Sequence, residues 1–279
     1  MPTDTSEPAP RPVPKKIVIG NAPDLVAPSE GSAESTDYVA ERVDLPSAPA
    51  GKAIYPNSPA QLGFVKVRAI TTQEEEILAT ERFWRQGTAI DMVLSRCIVT
   101  KGVNTMDLLS GDRTHLLMFL RSISFGPEYS FDATLKGGHV QTIKTDVSKL
   151  QIRSLPADFV EPYTVQVNGV TYECRLSRGA DEMALIQARM QALRKDPKGA
   201  AEPSPTLSLR RAIVSVNGNT DADAIAKHVK FLVSGRAQEL RRKIAEVSPG
   251  PMLNLEVVNE ATGSAEEVNF QMTEGFFRS

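Results

Sequence analysis

Apolar positions change their period several times along the chain, and each change predicts an element. FVKVRAI (64–70) alternates and reads as a strand. ITTQEEE then opens a helix: Thr72 with Glu75 three residues on matches a capping box, and the glutamates suit a positive helix N-terminus. Gly87 supplies its stop. Thr88 with Asp91 opens the next helix, where Ile90, Val93, Leu94, Cys97 and Ile98 recur at i, i+3, i+4, i+7 and i+8 and share one buried face. Ser110 is the expected cap of a third helix, with Leu116, Leu117, Leu120 and Ile123 apolar. Tyr129, Phe131, Ala133 and Leu135 then alternate, Gly137-Gly138 turns the chain, and VQTIKTDV (140–147) returns as the second strand of a hairpin.

YTVQVNGVTYECRL (163–176) is the clearest signal. Asn168-Gly169 fits a type I′ turn, which sets Val167 against Val170, Val165 against Tyr172 and Tyr163 against Cys174 on one face. Thr164, Gln166, Thr171 and Glu173 form the wetter face. A helix over 181–195 follows, with Met183, Ile186, Met190 and Leu193 on its apolar side, and KDPKGAAEPSP (195–205) reads as a linker.

After the linker the pattern restarts. LSRCIVT (94–100) corresponds to LRRAIVS (209–215), an offset of 209 − 94 = 115, and LLSGD (108–112) to LVSGR (232–236), an offset of 232 − 108 = 124. The second offset also carries Ser124, Gly126 and Pro127 onto Ser248, Gly250 and Pro251. Each module reads as helix, helix, β-hairpin, with Gly-Pro breaking the last helix before the hairpin. A duplication is expected, with the NG hairpin and its helix inserted between the copies.

Composition alters this picture at the N-terminus. Eleven of the 19 prolines fall in residues 1–60, where the aromatics are Tyr38 and Tyr55. Such a segment buries too little apolar surface to offset its ordering entropy. It reads as a disordered Pro-rich tail, or as an extended arm that orders along a neighbour through KKIVIG (15–20) and NAPDLV (21–26). MPTDTSEPAP has no basic or apolar stretch of a secretory signal, and no apolar run is long enough to span a bilayer. The net charge of −2 provides no general attraction to nucleic acid or to an anionic membrane. Cys97 and Cys174 lie in apolar surroundings and read as buried free thiols in a reducing compartment, a 97–174 disulfide being the alternative.

Candidate chemistry is sparse. His115, His139 and His228 have no Cys, His or carboxylate at metal-ligand spacing. No GxSxG, Walker loop or GxGxxG occurs. Ser110-Gly111-Asp112 and Arg178-Gly179-Ala180-Asp181-Glu182 read as helix starts. Glu74, Glu75 and Glu76 are consecutive on a helix and point apart. Arg241, Arg242 and Lys243, with Arg210 and Arg211 nearby, read as a solvated helix face, because nucleic-acid binding would want interleaved aromatics. Phe276 and Phe277 are either a docked C-terminal strand or an exposed interface anchor. No catalytic, cofactor-binding or metal residue is assigned, and no enzyme activity is expected.

VRAITTQEEEILAT, ERFWRQGTAIDMVLSRCI, LLSGDRTHLLMFLRSISFGPEYSF, RLSRGADE, RRAIVSVNG and TEGFF occur in that order. This set resembles the baseplate-hub and hub-assembly proteins of T-even-type contractile-tailed bacteriophages, from about Phe64 to Phe277. The resemblance implies a structural component of the tail baseplate hub, assembled in the host cytoplasm and residing in the virion. Its implied partners are other baseplate and hub proteins, the tape-measure protein and further copies of itself in a symmetric assembly, with no nucleic acid and no membrane. The alternative implied role is a transient assembly chaperone that leaves before maturity. Relatives often carry paired cysteines in the hairpins, resembling zinc knuckles; ATLKGGH (133–139) and VVNEATGSAEE (257–267) have none, which argues against structural zinc. The expected class is α+β, with an arm over 1–60, a first module over 61–195 including the inserted hairpin and helix, a linker over 196–205 and a second module over 206–279.

Overall fold

The computed structural model describes residues 39–195, 204–270, 272 and 274–277. The proposed arm anchors at 15–26 and all but the last two residues of the 196–205 linker lie outside the described residues. The expected α+β class holds: helices combine with small antiparallel sheets.

β1 (Ala40–Asp44) pairs with β2 (Phe64–Arg68), with Val43 opposite Val65. The connection makes helical turns at Ala48–Ala50 and Pro59–Leu62 around the one-turn helix α1 (Gly51–Ile54). Proline content predicts an extended or disordered arm over 1–60, and the structure corrects this for residues 40–60. Val43, Leu45, Ala50, Ile54, Tyr55 and Ala60 are buried in the main core. Pro49 and Pro59 are accommodated because they sit at the starts of helical turns, where no backbone donor is required.

α2 (Thr72–Ala79) and α3 (Glu81–Gln86) replace the single helix expected before Gly87, with extended backbone at Thr80 between them. Gly87 caps α3 in the left-handed region at φ 71°. The N-cap of α2 is Thr71, one residue earlier than expected. Its N–H and hydroxyl donate to the Glu74 carboxylate at 3.0 and 2.7 Å, and Arg68 donates to both oxygens of that group at 3.0 Å. α4 (Ala89–Cys97) buries Val93, Leu94 and Cys97 of the expected stripe. The chain then runs beside β2, with Ile98 opposite Val67. α5 (Ser110–Phe125) buries Leu116, Leu117 and Leu120, and Ser110 is its first residue rather than its cap. β3 (Glu128–Thr134) and β4 (Val140–Asp146) form the expected hairpin, followed by the short β5 (Ile152–Arg153).

β6 (Tyr163–Val167) and β7 (Val170–Cys174) pair in the predicted register around Asn168 (φ 48°) and Gly169 (φ 77°). α6 (Gly179–Lys195) and α7 (Ser204–Ala212) lead to β8 (Ile213–Val216), which pairs with β7, Ile213 opposite Cys174. α8 (Ala222–Lys230) and α9 (Ser234–Val247) follow. β9 (Gly250–Pro251) pairs with β5, and β10 (Asn254–Val258) forms the last hairpin with β11 (Ala265–Asn269).

The NG hairpin is thus part of the second lobe's sheet, not a separate insertion. The order β1, β2, α2, α4, strand at Ile98, α5, β3, β4 recurs as β6, β7, α6, α7, β8, α9, β10, β11. Side chains recur with it. Arg175 donates to both oxygens of Asp181 at 2.8 and 2.7 Å, and the Arg178 N–H donates to the same group at 3.0 Å. These are the counterparts of Arg68, Glu74 and Thr71 at an offset of 175 − 68 = 107. That offset also places Glu75 on Glu182 and Leu78 on Leu185. Val65, Leu94 and Leu116 belong to the main core, whereas Val165, Tyr172, Leu209 and Leu240 form the second lobe's own core.

Phe276 and Phe277 are buried in the main core, in a helical turn at Glu274–Phe277 rather than a strand. Phe276 stacks edge-on against Tyr129 and Phe270, with ring centroids 5.0 and 5.7 Å apart. Of the two sequence readings this supports docking; the pair is not an exposed anchor.

Candidate functional site

The polar groups that looked most like chemistry lie where the two lobes join. Gly111, in the first turn of α5, faces the second lobe so closely that a Cβ there would stand 1.7 Å from the Pro249 carbonyl oxygen. Beside it, the Ser110 N–H donates to the Ser177 carbonyl at 2.8 Å, and the Gly179 N–H to the Leu108 carbonyl at 3.0 Å. Two segments of the second lobe, 177–179 and 249–250, therefore grip the start of α5.

The first lobe holds that start from the other side. Asp112 is fully buried and accepts from the Ser47 N–H at 3.0 Å, the Ser47 hydroxyl and the Tyr55 hydroxyl. Tyr55 Oη in turn accepts from the Leu109 N–H at 2.8 Å. Burial pushes the Asp112 carboxyl above its ordinary range, against the pull of its hydrogen bonds. Burial and the adjacent Asp112 raise the Tyr55 phenol strongly, which keeps it a donor. Arg113 donates to Glu182, Asp91 and the Thr105 carbonyl at 3.1, 3.2 and 2.7 Å. Ser110, Gly111 and Asp112 thus each have a structural contact, and Asp91 serves Arg113 and Thr105 rather than its own helix cap.

A second joint forms between the hairpins. Ala133, Leu135 and Ile143 pack against Val268, with Leu255 and Val257 at the margin. The Lys136 N–H donates to Glu266 at 2.8 Å, and Gln141 donates to the Val258 carbonyl at 3.1 Å while accepting from the Glu260 N–H at 3.0 Å. These apolar hairpin faces cover each other within the chain.

The remaining candidates are dispersed. His139 is exposed, His228 bonds the Tyr172 hydroxyl at 3.0 Å, and burial lowers the pKa of the half-buried His115. Cys97 and Cys174 are free and buried, and burial pushes each thiol up to about 12, far from the thiolate a nucleophile needs. Glu74 is paired with Arg68; Glu75 and Glu76 are exposed. In the basic stretch, Arg211 is bound to Asp181, Arg242 to Glu246 and Lys243 to Glu239. A cavity of about 200 Å³ beside Asp181 is lined by Leu185, Leu209, Arg211, Ile244 and Ser248, with no histidine or cysteine in its wall. Among the described residues no group of three or more His, Cys, Asp or Glu could hold a metal ion. Nor is any helix of the described residues long and apolar enough to cross a membrane.

In this arrangement Ser110, Asp112 and Arg113 are engaged in structural contacts at the joint between the lobes. Comparison with known families points the same way: residues 56–175 match the family described as T4 bacteriophage base plate protein. The matched stretch runs from just after α1 to just past β7, covering most of the first lobe and the first hairpin of the second. It supports a bacteriophage baseplate protein with a structural role in the virion tail, in contact with other phage tail proteins. No curated protein and no solved structure matches the chain. The family match ends before α6, so the RLSRGADE to TEGFF part of the resemblance lies almost wholly beyond it.

Proposed function

We propose that the chain is a non-enzymatic structural component of a phage tail baseplate hub. It makes protein–protein contacts with other baseplate and hub proteins and with the tape-measure protein while the tail assembles in the host cytoplasm, and it stays in the finished baseplate. The family match over residues 56–175 carries this reading. The consumption of Asp112, Arg113, Asp181 and Glu266 by internal bonds supports it. Quantitative mass spectrometry of purified virions tests it. The expected result is this chain at a fixed ratio to other baseplate proteins. Its presence in assembling tails but not in mature virions would assign it instead to transient chaperoning.

A further inference from the structure

Both halves of the joint between the lobes have an unfilled counterpart on the opposite lobe. The gripped half is the start of α5, Leu109-Ser110-Gly111-Asp112; at the offset of 124 its counterpart is Val233-Ser234-Gly235-Arg236, the start of α9. Leu109 is 1% exposed and Val233 66%, with Phe231 beside it at 70%. A Cβ on Gly111 would strike Pro249, whereas one on Gly235 would meet nothing within 4 Å. The cause lies in the loops. The β1–β2 connection is long enough to fold over α5 through Ser47 and Tyr55, whereas the β6–β7 connection is the two-residue NG turn.

The gripping half is formed by Ser177 with Pro249 and Gly250. Its counterparts on the first lobe are Ile70 (177 − 107 = 70) and Phe125 with Gly126 (249 − 124 = 125). They lie together, because the Ile70 N–H donates to Ser124 Oγ at 2.9 Å. All three are half-buried. A Cβ on Gly126 would meet nothing within 4 Å, where the Gly250 equivalent would meet Gly111 Cα at 2.8 Å.

We propose that the start of α9 in one copy docks onto the Ile70/Phe125–Gly126 face of a second copy, repeating between chains the joint that each chain makes within itself. The contact covers Phe231 and Val233, which otherwise leave an apolar patch in water. Because the two surfaces differ, the association is head-to-tail and builds a ring when the rotation closes and a filament when it does not. This inference stands independently of the baseplate reading.

Light scattering and sedimentation of the full chain over a concentration series test it. The wild type is expected to exceed its 30.4 kDa monomer mass, increasingly with concentration. Gly235→Gln places a side chain in space that is open in the monomer and occupied in the joint, so it should stay at 30.4 kDa with an unchanged circular dichroism spectrum and melting temperature. Val233→Lys, already exposed, is the second variant and should behave alike. A wild type that remains monomeric throughout, or folded Gly235→Gln and Val233→Lys variants that associate like the wild type, overturns the proposal.

Discussion

Glu74 shows how a single residue sets local geometry. Thr71-Thr72 and Glu74-Glu75-Glu76 allow two capping registers on sequence alone, and the pair with Arg68 selects the one starting at Thr71. Burial alone would raise the Glu74 carboxyl; the hydrogen bonds from Arg68 and Thr71 outweigh it and hold the group at about 2. A carboxyl depressed in the folded state stabilises the fold above its unfolded pKa, and that contribution is lost as pH falls through the folded value. Stability should therefore drop between pH 4.5 and about 2 by about 3 kcal/mol from this group. Glu74→Gln should lose that part of the acid dependence, seen as a flatter plot of denaturation free energy against pH. Asp112 titrates with the opposite sign. Its raised carboxyl favours the folded state more when protonated, so its contribution declines as pH rises above the ordinary aspartate range.

Among the elements, those governed by local pattern were legible and those governed by distant partners were not. The α4 stripe and the NG hairpin register follow from periodicity and from turn residues that accept positive φ. Over the proline-rich run at 40–60 composition misleads, because it reports average burial. Val43, Leu45, Ile54 and Tyr55 are spaced irregularly, and the polar contacts of this run, from Ser47 and Tyr55 to Asp112, reach far along the chain. Helix-end motifs reveal the repeat but not its first third. The signal was present as Arg68-x₅-Glu74-Glu75 against Arg175-x₅-Asp181-Glu182, obscured by the conspicuous NG turn that stands where the first lobe has a long connection. Matching glycines on the two repeated helices make a sharp comparison. Gly111→Ala on α5 drives a methyl into the backbone of Pro249 and should cost about 3 kcal/mol or more. Gly235→Ala on α9 meets open space and should be neutral or stabilise by up to about 1 kcal/mol, the helix preference of alanine over glycine. Thermal melts of the two variants measure both.

For the whole molecule, the folded body begins earlier than the sequence suggested. Removing 1–55 takes away β1, Ser47 and Tyr55, leaving Asp112 buried without three of its donors, and should abolish cooperative unfolding in a urea titration. The joint between the lobes was not legible in the sequence, because Arg113 meets Asp91 and Glu182, and Ser110 meets Ser177, across long stretches of chain that no spacing rule connects. The most direct measurement for the baseplate role is an electron cryomicroscopy reconstruction of purified tails. Density matching the two joined lobes is predicted within the baseplate; a complete, infectious tail in which every baseplate density is assigned to other chains would contradict it.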